Sequence, residues 1–74
     1  MSPNISKLAV VDRRAKIADD VEIGPFCVIG PKATIGRGTK LMNNVTVSGD
    51  VTIGEDNLIS PNAVLGGHPQ DTSY

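Results

Sequence analysis

The sequence has few aromatic residues and no excess of charge of either sign, and each scarcity excludes a class of ligand. Of its 74 residues only Phe26 and Tyr74 are aromatic, so the chain lacks the stacking surfaces on which single-stranded nucleic acids bind. Seven Lys and Arg residues against eight Asp and Glu residues give a formal net charge of −1. The basic patch expected of a protein that binds nucleic acid or an anionic membrane is therefore absent.

Long apolar runs, cysteine and histidine are also scarce. The longest apolar run, residues 8–11, has four residues, whereas a signal-peptide core needs about 7–15 and a membrane-spanning helix about 20. We therefore predict a cytoplasmic protein without stable membrane insertion. The single Cys27 cannot form an internal disulfide and is predicted to lie in the core. One Cys and one His cannot supply the three protein ligands of a catalytic zinc site, so no metal is predicted.

What the sequence does contain is an aliphatic residue at every sixth position. The series has eleven members without an insertion or deletion, and the residue after an aliphatic one is often Gly. The residue four positions after each is mostly small or β-branched. A fixed period of this kind is typical of a repeat architecture. The eleven aliphatic residues are Ile5, Val11, Ile17, Ile23, Ile29, Ile35, Leu41, Val47, Ile53, Ile59 and Leu65.

Each six-residue unit predicts a short strand followed by a turn. Val45 and Val47 share one side of such a strand, with Thr46 on the other. Gly, Asn and Pro recur between the strands, where turns need positive or preset φ angles. Units this short cannot pair as hairpins, so we predict a parallel β-helix in which three units form one triangular coil. Eleven units predict between three and four coils in one domain, residues 1–74, with Ile17, Ile35 and Ile53 stacked in one interior column.

The residues that point outward differ among the three predicted faces. One face is almost wholly apolar, whereas the other two include charged residues, and a contiguous exposed apolar strip is typical of an interface. Because a three-sided prism favours cyclic assembly, we predict that this face packs on another subunit of a trimer. The residues of the apolar face are Val10, Val28, Thr46 and Val64.

The six-residue frame ends after Leu65. The next aliphatic position holds Asp71, and Gly66 and Gly67 permit a sharp departure of the backbone. Asp71 and Gln70 are therefore candidates for hydrogen bonds to a polar ligand. A simple loop with a solvated Asp71 is the alternative that the residues leave open.

Two segments resemble a known family. Residues 23–31 (IGPFCVIGP) and residues 67–71 (GHPQD) followed by Tyr74 resemble the N-terminal part of the UDP-N-acetylglucosamine O-acyltransferases, which begin lipid A synthesis. The resemblance implies an all-β, left-handed parallel β-helix and a homotrimer with sites between subunits. It also implies transfer of a 3-hydroxyacyl group to the sugar 3-hydroxyl from the phosphopantetheine thioester of acyl carrier protein, without another cofactor. Asp71 and Gln70 would then hold the UDP-sugar.

The sequence departs from that family in two respects. Thr72 and Ser73 stand where the family usually has Leu and Lys, and the family's general-base His lies on a later coil, beyond Tyr74. His68 does not take that role, so we assign no catalytic residue and predict that the chain alone, as the N-terminal part of a longer solenoid, is inactive. The alternatives are a fragment of another hexapeptide sugar acyltransferase and a non-catalytic β-solenoid module that assembles end to end.

Overall fold

The computed structural model describes residues 2–66, which form eleven strands of two residues each. Each strand contains one of the in-frame aliphatic residues and the residue before it. No helix capable of spanning a membrane occurs among these residues. The strands are β1 Asn4–Ile5, β2 Val10–Val11, β3 Lys16–Ile17, β4 Glu22–Ile23, β5 Val28–Ile29, β6 Thr34–Ile35, β7 Lys40–Leu41, β8 Thr46–Val47, β9 Thr52–Ile53, β10 Leu58–Ile59 and β11 Val64–Leu65.

Every strand pairs in parallel with the strand three positions along the chain. This pairing forms three sheets: sheet 1 is β1-β4-β7-β10, sheet 2 is β2-β5-β8-β11 and sheet 3 is β3-β6-β9. The register is eighteen residues throughout, as when Ile5 pairs with Ile23 and Ile23 with Leu41. Three strands to a coil make between three and four coils, which confirms the predicted fold class.

The core is the stack of in-frame aliphatic side chains and the small residues between them. Ile35 pairs with Ile17 below and Ile53 above, which confirms the predicted column. Ile29 and Ile35 in the middle coils are 1% exposed, whereas Ile5 in the first coil is 38% exposed. A side chain is therefore fully buried only where it has a coil on each side.

Buried polar groups in the described part of the chain all have partners. Thr39, which is wholly buried, donates from Oγ1 to the carbonyl of Gly54 at 2.6 Å and accepts the N–H of Asn57 at 3.2 Å. Cys27 is buried as predicted, and its thiol donates to the carbonyl of Met42 at 3.0 Å. These bonds join successive coils, so the few interior polar groups strengthen the stack rather than form a site.

At two of the three corners of the prism, positive φ recurs at the same position of the turn. At these two corners the residue with positive φ is the third after an in-frame aliphatic, and its φ lies between 57° and 75°. The residues are Asp20, Phe26, Gly38, Asn44, Asp56 and Asn62. Asp, Asn and Gly tolerate this conformation, but Phe26 adopts it too, at φ 63°. For a residue other than Gly, Asn or Asp the left-handed conformation costs about 1–2 kcal/mol. Phe26 is therefore a strained aromatic residue at a turn.

The repeated backbone conformation ends at Gly66. This residue lies one coil above Ser48 and two coils above Gly30, and Gly66 alone of the three has positive φ, 78°. A Cβ at Gly66 would collide with the carbonyl of Ser48 and with Cγ2 of Val51. Only glycine fits at this position, so the backbone conformation at Gly66 differs from that of the equivalent residues in the coils below.

We predict that Ile35→Ala lowers the free energy of unfolding by about 2–5 kcal/mol, because it leaves a cavity where no neighbour can collapse. The matched control is Leu58→Ala, since Leu58 is 65% exposed and its truncation should cost less than about 0.5 kcal/mol. Urea unfolding of both variants measures the difference. Equal losses would contradict the placement of the interior column.

We predict that Gly66→Ala frees the last coil from the stack, because the new methyl group has no room and the φ angle is unfavourable. The amide of Ser48, which donates to the carbonyl of Leu65 at 3.1 Å, should exchange with deuterium faster than in the unmodified chain. Gly30→Ala is the control, since its Cβ would make only an ordinary contact, 3.4 Å from the carbonyl of Val47. Unchanged exchange at Ser48 would show that Gly66 does not determine the turn.

Candidate functional site

The residues predicted to bind substrate, Asp71 and Gln70, lie outside the described residues, as does His68. Gly66, the last described residue, lies at the corner between sheets 2 and 3, one coil above Ser48. A Cβ at Gly49 would be 3.2 Å from the carbonyl of Gly66. This corner is therefore the described surface that is nearest along the chain to the predicted site residues.

The corner between sheets 2 and 3 is basic. The turns that form it contribute Arg13 and Arg14 in the first coil, Lys32 in the second and Asp50 in the third, and Lys16 lies beside them on sheet 3. Arg14, Lys16, Lys32 and Asp50 border an open cavity of about 210 Å³. A cluster of this sign attracts anionic groups such as phosphates, although its side chains are exposed and flexible.

One of these cations is held by its own turn. Asp12 accepts the backbone N–H of Arg14 at 2.8 Å and its Nε–H at 3.2 Å, and Nη2 of Arg14 approaches the second carboxylate oxygen at 3.3 Å. The side-chain hydrogen bond from Arg14, then the backbone one, lowers the pKa of Asp12, and the same pairing raises the pKa of Arg14. Both groups therefore stay charged near neutral pH, and the pair orders the turn instead of presenting a free cation.

The corner between sheets 3 and 1 is acidic. Asp20, Glu55 and Asp56 border a cavity of about 240 Å³ with Arg37, whose guanidinium lies 3.9 Å from the carboxylate of Asp20. The turn of the next coil packs closely here, since a Cβ at Gly38 would collide with Oδ1 of Asp56. Within residues 2–66 no cluster of His, Cys, Asp and Glu has the arrangement needed to hold a metal ion.

Besides a groove of about 310 Å³ along sheet 3, the prism has one of about 300 Å³ on sheet 1. Glu22 and Lys40 lie in successive coils of this sheet and form an exposed ion pair at 3.7 Å, beside Ser6 and Met42. An exposed pair of this kind contributes little to stability. The groove has no nucleophile paired with a base, and the part of the chain described here contains no His, so this face has no group suited to deprotonate a hydroxyl near neutral pH.

The face predicted to be apolar does form one sheet. Val10, Val28, Thr46 and Val64 lie side by side along sheet 2. The structure adds two residues that the sequence argument missed, Leu8 and Phe26, which are 59% and 58% exposed. Both lie in turns at the corner between sheets 1 and 2. Each is the third residue after an in-frame aliphatic, so the six-residue frame could have predicted that they share this corner. We call Leu8, Val10, Phe26 and Val28 the apolar patch.

Comparison with known proteins identifies the repeat. Residues 32–67 match the family model described as bacterial transferase hexapeptide (six repeats). Over 70 residues the chain is 43% identical to an acyl-(acyl-carrier-protein)–UDP-N-acetylglucosamine O-acyltransferase of Thermodesulfovibrio yellowstonii, a match covering 95% of this chain and 27% of that relative. The corresponding enzyme of Bartonella quintana is 41% identical, with 95% and 26% covered.

Solved structures agree with the sequence matches. A crystal structure of a UDP-N-acetylglucosamine acyltransferase superposes with a TM-score of 0.89 at 46% identity, covering 96% of this chain and 27% of that one. The Francisella novicida UDP-N-acetylglucosamine acyltransferase gives 0.86 at 47% identity, covering 95% and 25%. The chain thus spans about a quarter of the length of the relatives it matches. The resemblance stated from the sequence is confirmed: the chain is a hexapeptide-repeat β-helix that matches part of the UDP-N-acetylglucosamine acyltransferases in sequence and in fold.

Proposed function

We propose that this chain forms the first coils of a longer solenoid that transfers an acyl group from acyl carrier protein to UDP-N-acetylglucosamine. The observation that supports this most is the match, in sequence and in fold, of nearly the whole chain to acyltransferases of that name. The group transferred is a 3-hydroxyacyl chain and the acceptor is the sugar 3-hydroxyl, as in lipid A synthesis. The reaction takes place in the cytoplasm.

The chemistry needs more groups than the described part of this chain has. The sugar hydroxyl attacks the thioester carbonyl, a base takes the hydroxyl proton, and the carrier's thiol leaves with a proton as the ester forms. A base tuned near neutral pH and an amide that stabilises the oxyanion are required. With no His among residues 2–66, these groups come from the rest of the whole protein, and the isolated chain is inactive.

The role proposed for this chain is to position the acceptor. The stacked core buries the in-frame side chains of the middle coils, and Gly66, with its positive φ, precedes the segment with Gln70 and Asp71 in the sequence. A carboxylate and an amide at that point accept and donate hydrogen bonds to a sugar nucleotide. Thr72 and Ser73 supply no charge there, so the basic corner below Gly66 is the nearest described source of cations.

The proposed assembly is a homotrimer that also binds acyl carrier protein. Support for the trimer comes from sheet 2, whose outward residues are uncharged along all four coils while Val10 and Val64 remain 65% and 67% exposed. Surfaces of that kind are typical of interfaces. A site between subunits would then include residues of more than one copy.

A chimera tests the proposed function. Residues 1–74 replace the matching quarter of the Thermodesulfovibrio yellowstonii relative, and acyl transfer from acyl carrier protein to UDP-N-acetylglucosamine is measured. We predict an active chimera in which Asp71→Ala raises the KM for the UDP-sugar by roughly tenfold or more, because a hydrogen bond to a charged group contributes about 1.5–3 kcal/mol. Gln70→Ala should have a smaller effect in the same direction.

Glu55→Ala is the matched control, since it removes an exposed carboxylate from a different corner, the one between sheets 3 and 1. Circular dichroism confirms that each chimera is folded. A folded chimera without activity, or an unchanged KM in the Asp71 variant, would contradict the proposal. Acyl transfer by the 74-residue chain alone would contradict the prediction that the base lies elsewhere.

A further inference from the structure

Phe26 combines an unfavourable backbone with an exposed side chain. The other residues at this corner with positive φ are Asn44 and Asn62, both of a type that tolerates that conformation. Phe26 has the same φ but is aromatic, and more than half of its surface is exposed. An Asn would form this turn with less strain. The ring is only partly buried within the subunit, so packing inside the subunit does not explain why position 26 is Phe. Residues held in strained conformations are often kept for function.

The ring of Phe26 lies within the apolar patch. Its backbone N–H donates to the carbonyl of Leu8 in the coil below at 3.2 Å, and Val28, two residues later, pairs with Val10. All four side chains are exposed, from 46% for Val28 to 65% for Val10. The patch thus combines one aromatic residue with three exposed aliphatic residues, the composition of an interface anchor and its apolar rim.

The charges of the three faces indicate what covers the patch. Sheet 1 has the exposed Glu22 and Lys40 and sheet 3 has Lys16, whereas sheet 2 has no charged residue facing outward in any coil. A face without charges can pack on a copy of the same chain without like-charge repulsion or the desolvation of an ion. A partner of opposite charge would gain nothing on this face.

We propose that Phe26 is the anchor through which copies of this chain assemble, with the ring of one copy packed against sheet 2 of the next. This inference rests on the proposed homotrimer, but goes beyond it in naming the residue that holds the copies together. The strain at the turn is offset only in the assembly. Among residues 2–66, the corner between sheets 1 and 2 has one charged residue, Lys7 in the first coil, whereas each of the other two corners has several.

The test compares Phe26→Asn with the unmodified 74-residue chain by analytical ultracentrifugation over a wide concentration range. The variant is expected to raise the dissociation constant of the assembly about tenfold or more, as loss of an aromatic anchor does. At concentrations where both chains are monomeric, the urea midpoint of the variant is expected to stay the same or rise, because Asn tolerates the φ of this turn. A merely structural role for Phe26 would lower that midpoint.

Two further variants make the outcomes distinguishable. Leu58→Asn removes an equally exposed apolar side chain from sheet 1 and should leave assembly unchanged. Val28→Thr reproduces the residue present at Thr46 one coil above and should weaken assembly by less than Phe26→Asn. If Val28→Thr weakens assembly and Phe26→Asn does not, the assignment of Phe26 as the anchor is wrong, whereas the proposed homotrimer is supported. If the unmodified chain is monomeric throughout, both proposals are overturned.

Discussion

The structure depends on one interaction, the stacking of each in-frame aliphatic side chain on its equivalent eighteen residues away. The parallel register that places Ile17 under Ile35 and Ile35 under Ile53 also aligns the backbone, so that amides in one coil donate to carbonyls of the next, as from Val28 to Val45 at 2.9 Å. Apolar burial and backbone hydrogen bonding therefore depend on the same register. Strands of two residues are stable only because both contributions repeat in every coil.

Because the interior is occupied by the repeat, variation in chemistry is confined to the faces and corners. The three corners differ in kind: Lys32 marks a basic one, Asp56 an acidic one, and Phe26 an apolar one. The turn geometry allows this variety, since the repeat constrains φ at a corner more strictly than it constrains the side chain that points outward. The same stack can thus present surfaces of different charge and polarity without any change in its core.

The relation to the acyltransferases gives this separation a functional meaning. Under the proposed function, the stack would hold the acceptor and align subunits, and the base and the oxyanion donor would come from parts of the whole protein beyond the quarter that this chain matches. Gly66 is the last described residue before the segment with the proposed acceptor contacts, and its positive φ sets it apart from Ser48 and Gly30 in the coils below.

The sequence alone determined the architecture, the interior column and the apolar face, because a six-residue period without interruption permits only one register. It also identified the family through the residues around Phe26 and Asp71. The eighteen-residue register also indicates which residues share a corner, whereas only the tertiary structure showed how close they come, as with the 3.9 Å between the guanidinium of Arg37 and the carboxylate of Asp20. It likewise showed that Phe26 has positive φ and lies over Leu8. The period predicts where a turn falls, but not which backbone conformation its residues must adopt or what they meet in the next coil.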